Sequence, residues 1–399
     1  MIAARLLDVV LVLVLLVYLG EGWRSGILRS LSAILGIAAG GVAAFLAAPL
    51  LAAAIPSPEW RLTILIALSI LLLAGGHLLG VTIGSALRGR RVDDPRDESE
   101  LTTAERLLGA AANLVASALV VALVAGSVAQ LGVPVVSQAV KRSTVIGTID
   151  RLTPAPISEG LARVRSAILE RGIPTIDDDL GGIGEDQAPP QVDTGTDPLA
   201  AAARSVARIN GMAFACGQNQ SGSGFVVAPE RVVTNAHVVA GVDNPVVELP
   251  DGQALDAYVV WFDPDTDVAI LAVPELDARP LPLSDAAIGQ EGVVNGYPHG
   301  GPFASTPARV LAISNERVAD IYGDGITVRE VATLAADVQP GNSGGPLIAL
   351  DGSVAGLVFA RNAEHANLGY ATTIAQLQPL FADAAALSDP VAPGRCVAD

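Results

Sequence analysis

Cysteine, histidine and lysine are scarce in this 399-residue chain. It has two cysteines and four histidines, and Lys141 is its single lysine. The histidines stand far apart, at positions 77, 237, 299 and 365. Structural zinc sites need four Cys or His ligands at short spacings, so the pattern predicts no metal site. Nothing else in the sequence predicts a cofactor.

Basic residues are also few in the second part of the chain. Residues 1–150 carry 11 basic and 10 acidic side chains, net +1, and residues 151–399 carry 13 and 31, net −18, which together give the −17 of the whole chain. Nucleic-acid phosphates are bound by clustered Lys and Arg. The charge therefore argues against a nucleic-acid partner, and the acidic part is interpreted as a solvated surface.

Apolar residues, by contrast, make up 51% of the chain, and the excess lies near the N-terminus. Four apolar stretches fill the first 136 residues, at about 2–19, 27–55, 62–87 and 107–136. A helix needs roughly 20 residues to cross the hydrocarbon core of a bilayer. We therefore predict an all-α transmembrane bundle of four helices. A cleaved signal peptide is the alternative for the first stretch, but no A-x-A cleavage site follows it and three more spans come after.

Positive charge in short loops predicts the orientation of such a bundle. The loops after the first and third stretches hold seven arginines, against four basic residues on the opposite side. Basic loops stay in the cytoplasm. Both termini should then lie outside it, which predicts a multi-pass inner-membrane protein whose C-terminal part is extracytoplasmic (periplasmic).

Three segments of the C-terminal part carry side chains suited to nucleophilic catalysis. Ser343 lies in GNSGGP, His237 in TNAHVV, and Asp267 begins the apolar run VAIL. A serine needs a positioned base to act as a nucleophile. Asp263 and Asp265 compete with Asp267 for the role of the acid, and Asp267 is favoured because it enters a buried strand.

The glycines around Ser343 predict a loop whose N–H groups turn inward, because glycine adopts positive φ at little cost. Such N–H groups can stabilise an oxyanion. We expect the N–H groups of Gly341 and Ser343 to do so, with Asn342 as a further candidate.

These motifs, together with Gly222-Ser223-Gly224-Phe225, resemble those of the trypsin/chymotrypsin superfamily, nearest to its bacterial HtrA-like branch. The resemblance covers roughly residues 200–399 and has the same chain order of His, Asp and Ser. It implies an all-β double barrel in which Ser343 attacks the scissile carbonyl, His237 transfers the proton and Asp267 orients the imidazole.

The same resemblance suggests residues of the specificity pocket. Asp337 stands six residues before Ser343, where trypsin-like enzymes place the base of the pocket. A buried carboxylate there would select Arg or Lys, and an exposed one would not. Val358, Phe359 and Ala360 are expected to form the pocket wall.

Cys216 and Cys396 lie at opposite ends of this domain. Outside the cytoplasm such a pair is expected to oxidise to a disulfide. Two reduced, buried thiols are the alternative.

The N-terminal part resembles the CvpA (colicin V production) family, in LDVVL at 7–11 and GWRSGILR at 22–29. The whole chain resembles the MarP type of membrane-anchored periplasmic serine proteases of mycobacteria and other actinobacteria. We therefore expect a transmembrane domain at 1–136, a linker with short helices at 137–200 and a protease domain at 201–399. From Asp197-Pro198, an alanine-rich helix should run to Arg208 and lead into the barrel.

The resemblance implies a membrane-anchored serine endopeptidase that cleaves cell-envelope proteins, with a role in acid or stress resistance. Its partners would be a protein or peptide substrate and the lipid bilayer. One alternative is a latent sensor or chaperone-like homologue with little constitutive activity. Another is a transporter or export factor, which four spans without a second inverted half disfavour. The sequence does not predict an oligomeric state.

Overall fold

The computed structural model describes residues 2–54, 58–87, 101–129, 139–140, 142–154, 156–158, 160–163, 174–176, 187–213 and 218–397. Apart from a few residues at the N-terminus, it divides into two compact units, residues 4–122 and residues 123–399.

Three long helices begin the chain: α1 (Ile2–Ala54), α2 (Pro58–Leu87) and α3 (Thr103–Ala129). Gly26 interrupts α1, with φ 70° and ψ 174°. Within the described residues, three helical segments are long and apolar enough to cross a membrane, Ala4–Ala44, Ala67–Leu87 and Thr103–Gly126. The predicted count of four is not confirmed, because the first two predicted stretches lie on either side of Gly26 in one helix.

Small residues bring the second part of α1 against α2. A Cβ built on Gly36 would lie 2.1 Å from the Gly76 carbonyl oxygen, and one on Gly80 would lie 2.1 Å from that of Ser32. Gly40 approaches Leu72 in the same way, at 2.4 Å. The order of these contacts makes the two helices antiparallel. Such backbone proximity is typical of helices packed in lipid.

The linker forms the short helices α4 (Thr144–Leu152) and α5 (Asp197–Ala203). Ser143 caps α4, because its hydroxyl oxygen accepts a hydrogen bond of 3.1 Å from the Ile146 N–H. Residues 164–173 and 177–186 of the predicted linker lie outside the described residues. The helix predicted to reach Arg208 ends at Ala203 instead, since a strand begins at Val206.

Two seven-stranded sheets follow, in the orders β6-β5-β2-β3-β4-β8-β7 and β1-β13-β12-β9-β10-β11-β14. Pairing of β13 with β14 closes the second sheet into a barrel. The strands of the first sheet are β2 (Val206–Ala213), β3 (Gln218–Ala228), β4 (Arg231–Thr234), β5 (Val246–Glu248), β6 (Ala254–Asp256), β7 (Tyr258–Asp263) and β8 (Val268–Ala272). Those of the second are β1 (Thr175–Ile176), β9 (Glu291–Gly296), β10 (Ala304–Ala319), β11 (Ile326–Ala335), β12 (Pro346–Ala349), β13 (Val354–Asn362) and β14 (Leu368–Thr373).

Each sheet encloses its own hydrophobic core, and a third cluster joins them. Ile209 and Leu271 belong to the first core, and Leu334 and Val358 to the second. The joining cluster contains side chains from both sheets and from the helix α7 (Ile374–Asp383). In it, Phe225 of β3 meets Phe381 of α7 edge to face, with ring centroids 6.3 Å apart.

Candidate active site

His237 lies in the single helical turn α6 (Ala236–Val239), directly after β4. Its Nδ1 is 2.8 Å from Oδ2 and 3.0 Å from Oδ1 of Asp267. The backbone N–H of His237 donates to the same carboxylate at 3.0 Å. The carboxylate therefore holds both the ring and the backbone of His237, and it is itself buried, with 3% exposure.

The backbone of Asp267 is in the left-handed region, with φ 58°. A non-glycine residue is rarely found there. The Asn235 side-chain amide donates a 2.8 Å hydrogen bond to the Asp267 carbonyl. This fixes the turn that points the carboxylate at His237.

The two competing acids take no part in this contact. Asp263 accepts hydrogen bonds from the N–H groups of Asp265 and Thr266, at 3.0 and 3.3 Å, in a local turn. Asp265 is exposed. The structure thus places Asp267, and neither of its neighbours, against the imidazole.

The loop before Ser343 is held by its carbonyl groups. The Pro340 carbonyl accepts from the His299 N–H at 2.5 Å, and the Gly341 carbonyl accepts from the Ser223 hydroxyl at 2.6 Å. In a trans peptide the C=O and N–H groups point in opposite directions. The N–H of Gly341 therefore points away from His299.

Asn342 takes a different orientation from its neighbours. Its N–H donates to the Gln339 carbonyl at 3.0 Å, so it is turned away from any oxyanion. Its carbonyl accepts from the Gly345 N–H at 2.8 Å, which turns the N–H of Ser343 the other way. Within the described residues, the N–H groups of Gly341 and Ser343 donate no hydrogen bond.

Ser343 is buried, with 3% exposure. Its backbone carbonyl accepts from the Ser223 N–H at 2.8 Å, and the Ser223 carbonyl accepts from the Thr234 hydroxyl at 2.7 Å. Since β4 ends at Thr234 and leads into His237, these bonds bring the serine and histidine segments together. In the described part of the chain, Ser343 Oγ and His237 Nε2 each lack a hydrogen-bond partner.

Ser223 is a site residue that sequence reasoning missed. It is fully buried, and besides donating to Gly341 its hydroxyl accepts from the Tyr297 N–H at 3.0 Å. In the sequence, the motif Gly222–Phe225 indicates only a resemblance to the trypsin/chymotrypsin superfamily. No local pattern shows that its hydroxyl supports the loop of Ser343.

A second set of buried contacts supports residues 297–301. Arg208 forms a buried ion pair with Glu248 and donates to the Gly300 carbonyl at 2.8 Å. Its guanidinium also lies 5.8 Å from the centre of the Tyr297 ring. Burial, which outweighs the opposing charge of Arg208, raises the pKa of the Tyr297 hydroxyl. These contacts anchor the segment whose His299 N–H holds Pro340.

The predicted pocket residues occupy two different environments. Val358, Phe359 and Ala360 are buried in β13. Asp337 is exposed, and its carboxylate accepts a hydrogen bond from the Gln339 side-chain amide. The buried carboxylate that would select Arg or Lys is therefore not observed, and the exposed alternative is.

Cys396 is disulfide-bonded, and its sulfur lies 2.8 Å from a Cβ built on Gly241. Cys216 lies outside the described residues. Among the described side chains, no group of three or more His, Cys, Asp or Glu residues could hold a metal ion.

Two family models match the chain. The model described as colicin V production protein matches residues 7–154, and the trypsin-like peptidase domain matches residues 222–357. They correspond to the helical and sheet-forming parts described above.

Comparison with single proteins gives relatives of the whole chain and of its protease part. Serine protease Rv3671c of Mycobacterium tuberculosis is 34% identical over 403 residues, covering all of both chains. A probable periplasmic serine endoprotease, DegP-like, of Halomonas elongata is 38% identical over 160 residues, covering 38% of this chain and 32% of the relative.

The crystal structure of the M. tuberculosis Rv3671c protease in its active form is similar, with 41% identity and a TM-score of 0.51. The match covers 53% of this chain and 94% of the crystallised one. The chymotrypsin-like β fold expected for the C-terminal part is thereby confirmed.

Proposed function

The chain belongs to the serine protease family that includes Rv3671c of M. tuberculosis, and from that premise we propose that it is a membrane-anchored endopeptidase with His237, Asp267 and Ser343 as its catalytic triad. The observation that supports this most directly is the carboxylate of Asp267, which holds both the ring and the backbone of His237. The loop of Ser343 lies beside them.

In the proposed mechanism, the Ser343 oxygen attacks the scissile carbonyl of a peptide. His237 takes the hydroxyl proton through Nε2 and returns it to the leaving amine. Asp267 keeps the proton of the neutral imidazole on Nδ1 and stabilises the ring once it is charged. The free N–H groups of Gly341 and Ser343 form the oxyanion hole, and Asn342 does not contribute its N–H.

The missing hydrogen bond between Ser343 and His237 supports a second candidate, a latent protease. Catalytic hydrogen bonds are often loose before substrate binds, so the same geometry also fits a working enzyme. Labelling with and without a bound peptide distinguishes the two. A latent enzyme would react only after the peptide is added.

We further propose that the protease domain is extracytoplasmic and that residues 1–136 and 137–200 form its membrane domain and linker. The loop arginines and the colicin V match support this. Free thiols at both cysteines in intact cells would contradict the orientation. We also propose that Cys216 and Cys396 form a disulfide with each other.

On the basis of the family resemblance, we extend the proposal to cleavage of cell-envelope proteins and to a role in acid or stress resistance. Val358, Phe359 and Ala360 would form one wall of the substrate pocket. Cells that carry Ser343→Ala should lose survival in acid if the role is real, and unchanged survival would contradict it.

A fluorophosphonate probe tests the catalytic centre on the full-length chain in detergent. It forms a covalent bond to an activated serine and needs no knowledge of the substrate. The intact chain should be labelled, Ser343→Ala should not, and Asp267→Asn should react roughly 10⁴-fold more slowly because the imidazole takes the wrong tautomer. Ser353→Ala, which removes another buried serine hydroxyl, is the control that should react normally. Labelling of Ser343→Ala at the normal rate would reject Ser343 as the nucleophile.

A further inference from the structure

Arg329 is a buried cation that the mechanism above does not use. It lies in β11 with 2% exposure, and it is the largest fully buried side chain of the described residues. Arginine is almost never fully buried unless it is paired. Its position therefore requires an explanation.

The contacts of Arg329 are to carbonyl oxygens and to a ring. Nη1 donates to the Thr266 carbonyl at 2.9 Å, and Nη2 donates to the Ala319 carbonyl at 3.2 Å. The guanidinium carbon lies 4.7 Å from the centre of the Phe359 ring. Its Nε has no partner, and no carboxylate of the described residues lies within ion-pair distance.

Burying a charge without an ion partner lowers the stability of the folded protein. The charged groups near Arg329 are therefore important for its stability in this position. Burial lowers the pKa of Arg329, and the carboxylates of Asp267 and Asp263 oppose that effect. Arginine titrates so far above neutrality that it remains charged. Glu316 of β10 is the backbone register partner of Arg329 in β11, and its carboxylate accepts a hydrogen bond from the Ser314 hydroxyl.

The hydrogen bond to Thr266 places this charge beside the catalytic acid. The Thr266 carbonyl immediately precedes Asp267, and the carbonyl of Asp267 itself is held by Asn235. The carbonyls on both sides of the strained Asp267 backbone are thus fixed by buried donors. Arg329 is one of these donors, and it is the only one of the two that carries charge.

We propose that Arg329 is a positioning residue for the catalytic acid, in that it holds the Thr266–Asp267 backbone and sets the charge balance of the His237–Asp267 pair. The inference rests on the triad proposed above. Phe359, predicted from the sequence as part of the pocket wall, would then also serve as the surface on which the guanidinium stacks.

The sign of the electrostatic effect follows from the charges. A fixed positive charge favours the ionised carboxylate of Asp267, and it disfavours a second positive charge on the imidazole of His237. Both effects preserve the active protonation state, a neutral imidazole beside a carboxylate, in more acidic solution. Loss of the charge should move the acid limb of the activity profile to higher pH.

The test is a pH profile of fluorophosphonate labelling for full-length Arg329→Met, Arg329→Gln and Arg329→Lys. The two neutral variants should shift the acid limb upward by about one pH unit, the order of magnitude expected for the loss of one nearby charge in a protein. Arg329→Lys keeps the charge and should leave the acid limb close to that of the unaltered chain. Arg309→Met, which removes a more exposed arginine paired with Glu291, should not move it.

Each outcome decides between a role in charge balance and a role in packing. An unchanged acid limb in Arg329→Met would overturn the proposal, and so would a shift in Arg329→Lys as large as that in Arg329→Met. Replacement of a buried ion by an apolar chain is often tolerated, so Arg329→Met should fold. If both neutral variants fail to fold while Arg329→Lys folds, the charge is structural and the proposal is rejected.

Failure of the triad itself would look different. In that case the unaltered chain would show no labelling at any pH, or labelling that Ser343→Ala leaves intact. Either result removes the proposed function, and this inference falls with it. A normally labelled chain whose profile ignores Arg329 rejects the inference alone.

Discussion

At the residue scale, the proposed oxyanion hole depends on the backbone conformation of Gly341. Its φ is 92°, and a Cβ on it would lie 2.3 Å from the Tyr297 carbonyl oxygen. That carbonyl belongs to the same segment that holds Pro340 through His299. A side chain at position 341 would therefore push the N–H of Gly341 out of place.

Gly341→Ala should lower the labelling rate by about 10²–10³-fold, the typical cost of losing one oxyanion donor. Gly289→Ala is a matched control, because Gly289 also has positive φ, 83°, but has nothing within 4 Å of its added Cβ. The Gly289→Ala variant therefore has the same backbone strain as Gly341→Ala, but its added Cβ meets no neighbouring atom. Equal losses in the two variants would show that strain, and not the oxyanion loop, is responsible.

How far the site could be predicted differs from residue to residue. The approach of Asp267 to His237 followed from the motif and from its place at the edge of a buried run. Arg329 could not be recognised, because it sits in an ordinary alternating strand and its burial depends on Phe359 and Thr266, which are distant in the chain. Asp337 was recognised from the sequence, but its exposure was not. Its position six residues before Ser343 does not determine whether its side chain faces the pocket or solvent.

At the element scale, the helical unit is organised by glycines. Gly36 and Gly40 of the second apolar stretch lie against the backbone of α2. The number of helices was harder to predict, because α1 runs through the first predicted loop and is interrupted only at Gly26. Strand β2 shows a similar limit, since an alanine-rich run predicted helix up to Arg208 while pairing with β3 and β5 makes a strand from Val206.

Neighbouring glycines in α2 allow a matched test of this packing. Gly76 would place a Cβ 2.2 Å from the Gly36 carbonyl oxygen, whereas Gly75 has nothing within 4 Å. Gly76→Ala should destabilise the unit by about 1–3 kcal/mol, the usual cost of overpacking. Gly75→Ala should not destabilise the unit, because its added Cβ meets no atom within 4 Å. Both variants gain the same helix propensity, so the difference between them reports packing alone. Thermal unfolding in detergent measures both, and equal midpoints would refute close packing at Gly76.

At the scale of the whole protease unit, the C-terminal tail returns from the second barrel to the first sheet. The Val391 N–H donates to the Val259 carbonyl at 2.8 Å, and the Gly241 N–H donates to the Pro393 carbonyl at 3.1 Å. The Tyr322 hydroxyl donates to the Arg395 carbonyl at 3.1 Å. Cys396 lies at the end of this strap, with its sulfur 2.8 Å from a Cβ built on Gly241, and its disulfide adds a covalent link to the hydrogen bonds that hold the tail.

Removal of that disulfide should loosen the tail and report on the compartment at the same time. Cys396→Ser and Cys216→Ser should each cost about 2–5 kcal/mol of stability, the usual effect of losing a native disulfide. The double variant should cost no more than either single one, because both remove the same bond. In intact cells, neither cysteine of the unaltered chain should react with a maleimide until a reductant is added, since disulfides persist outside the cytoplasm. Reaction without reductant would contradict the extracytoplasmic location of the protease. Additive losses in the double variant would contradict the pairing of the two cysteines.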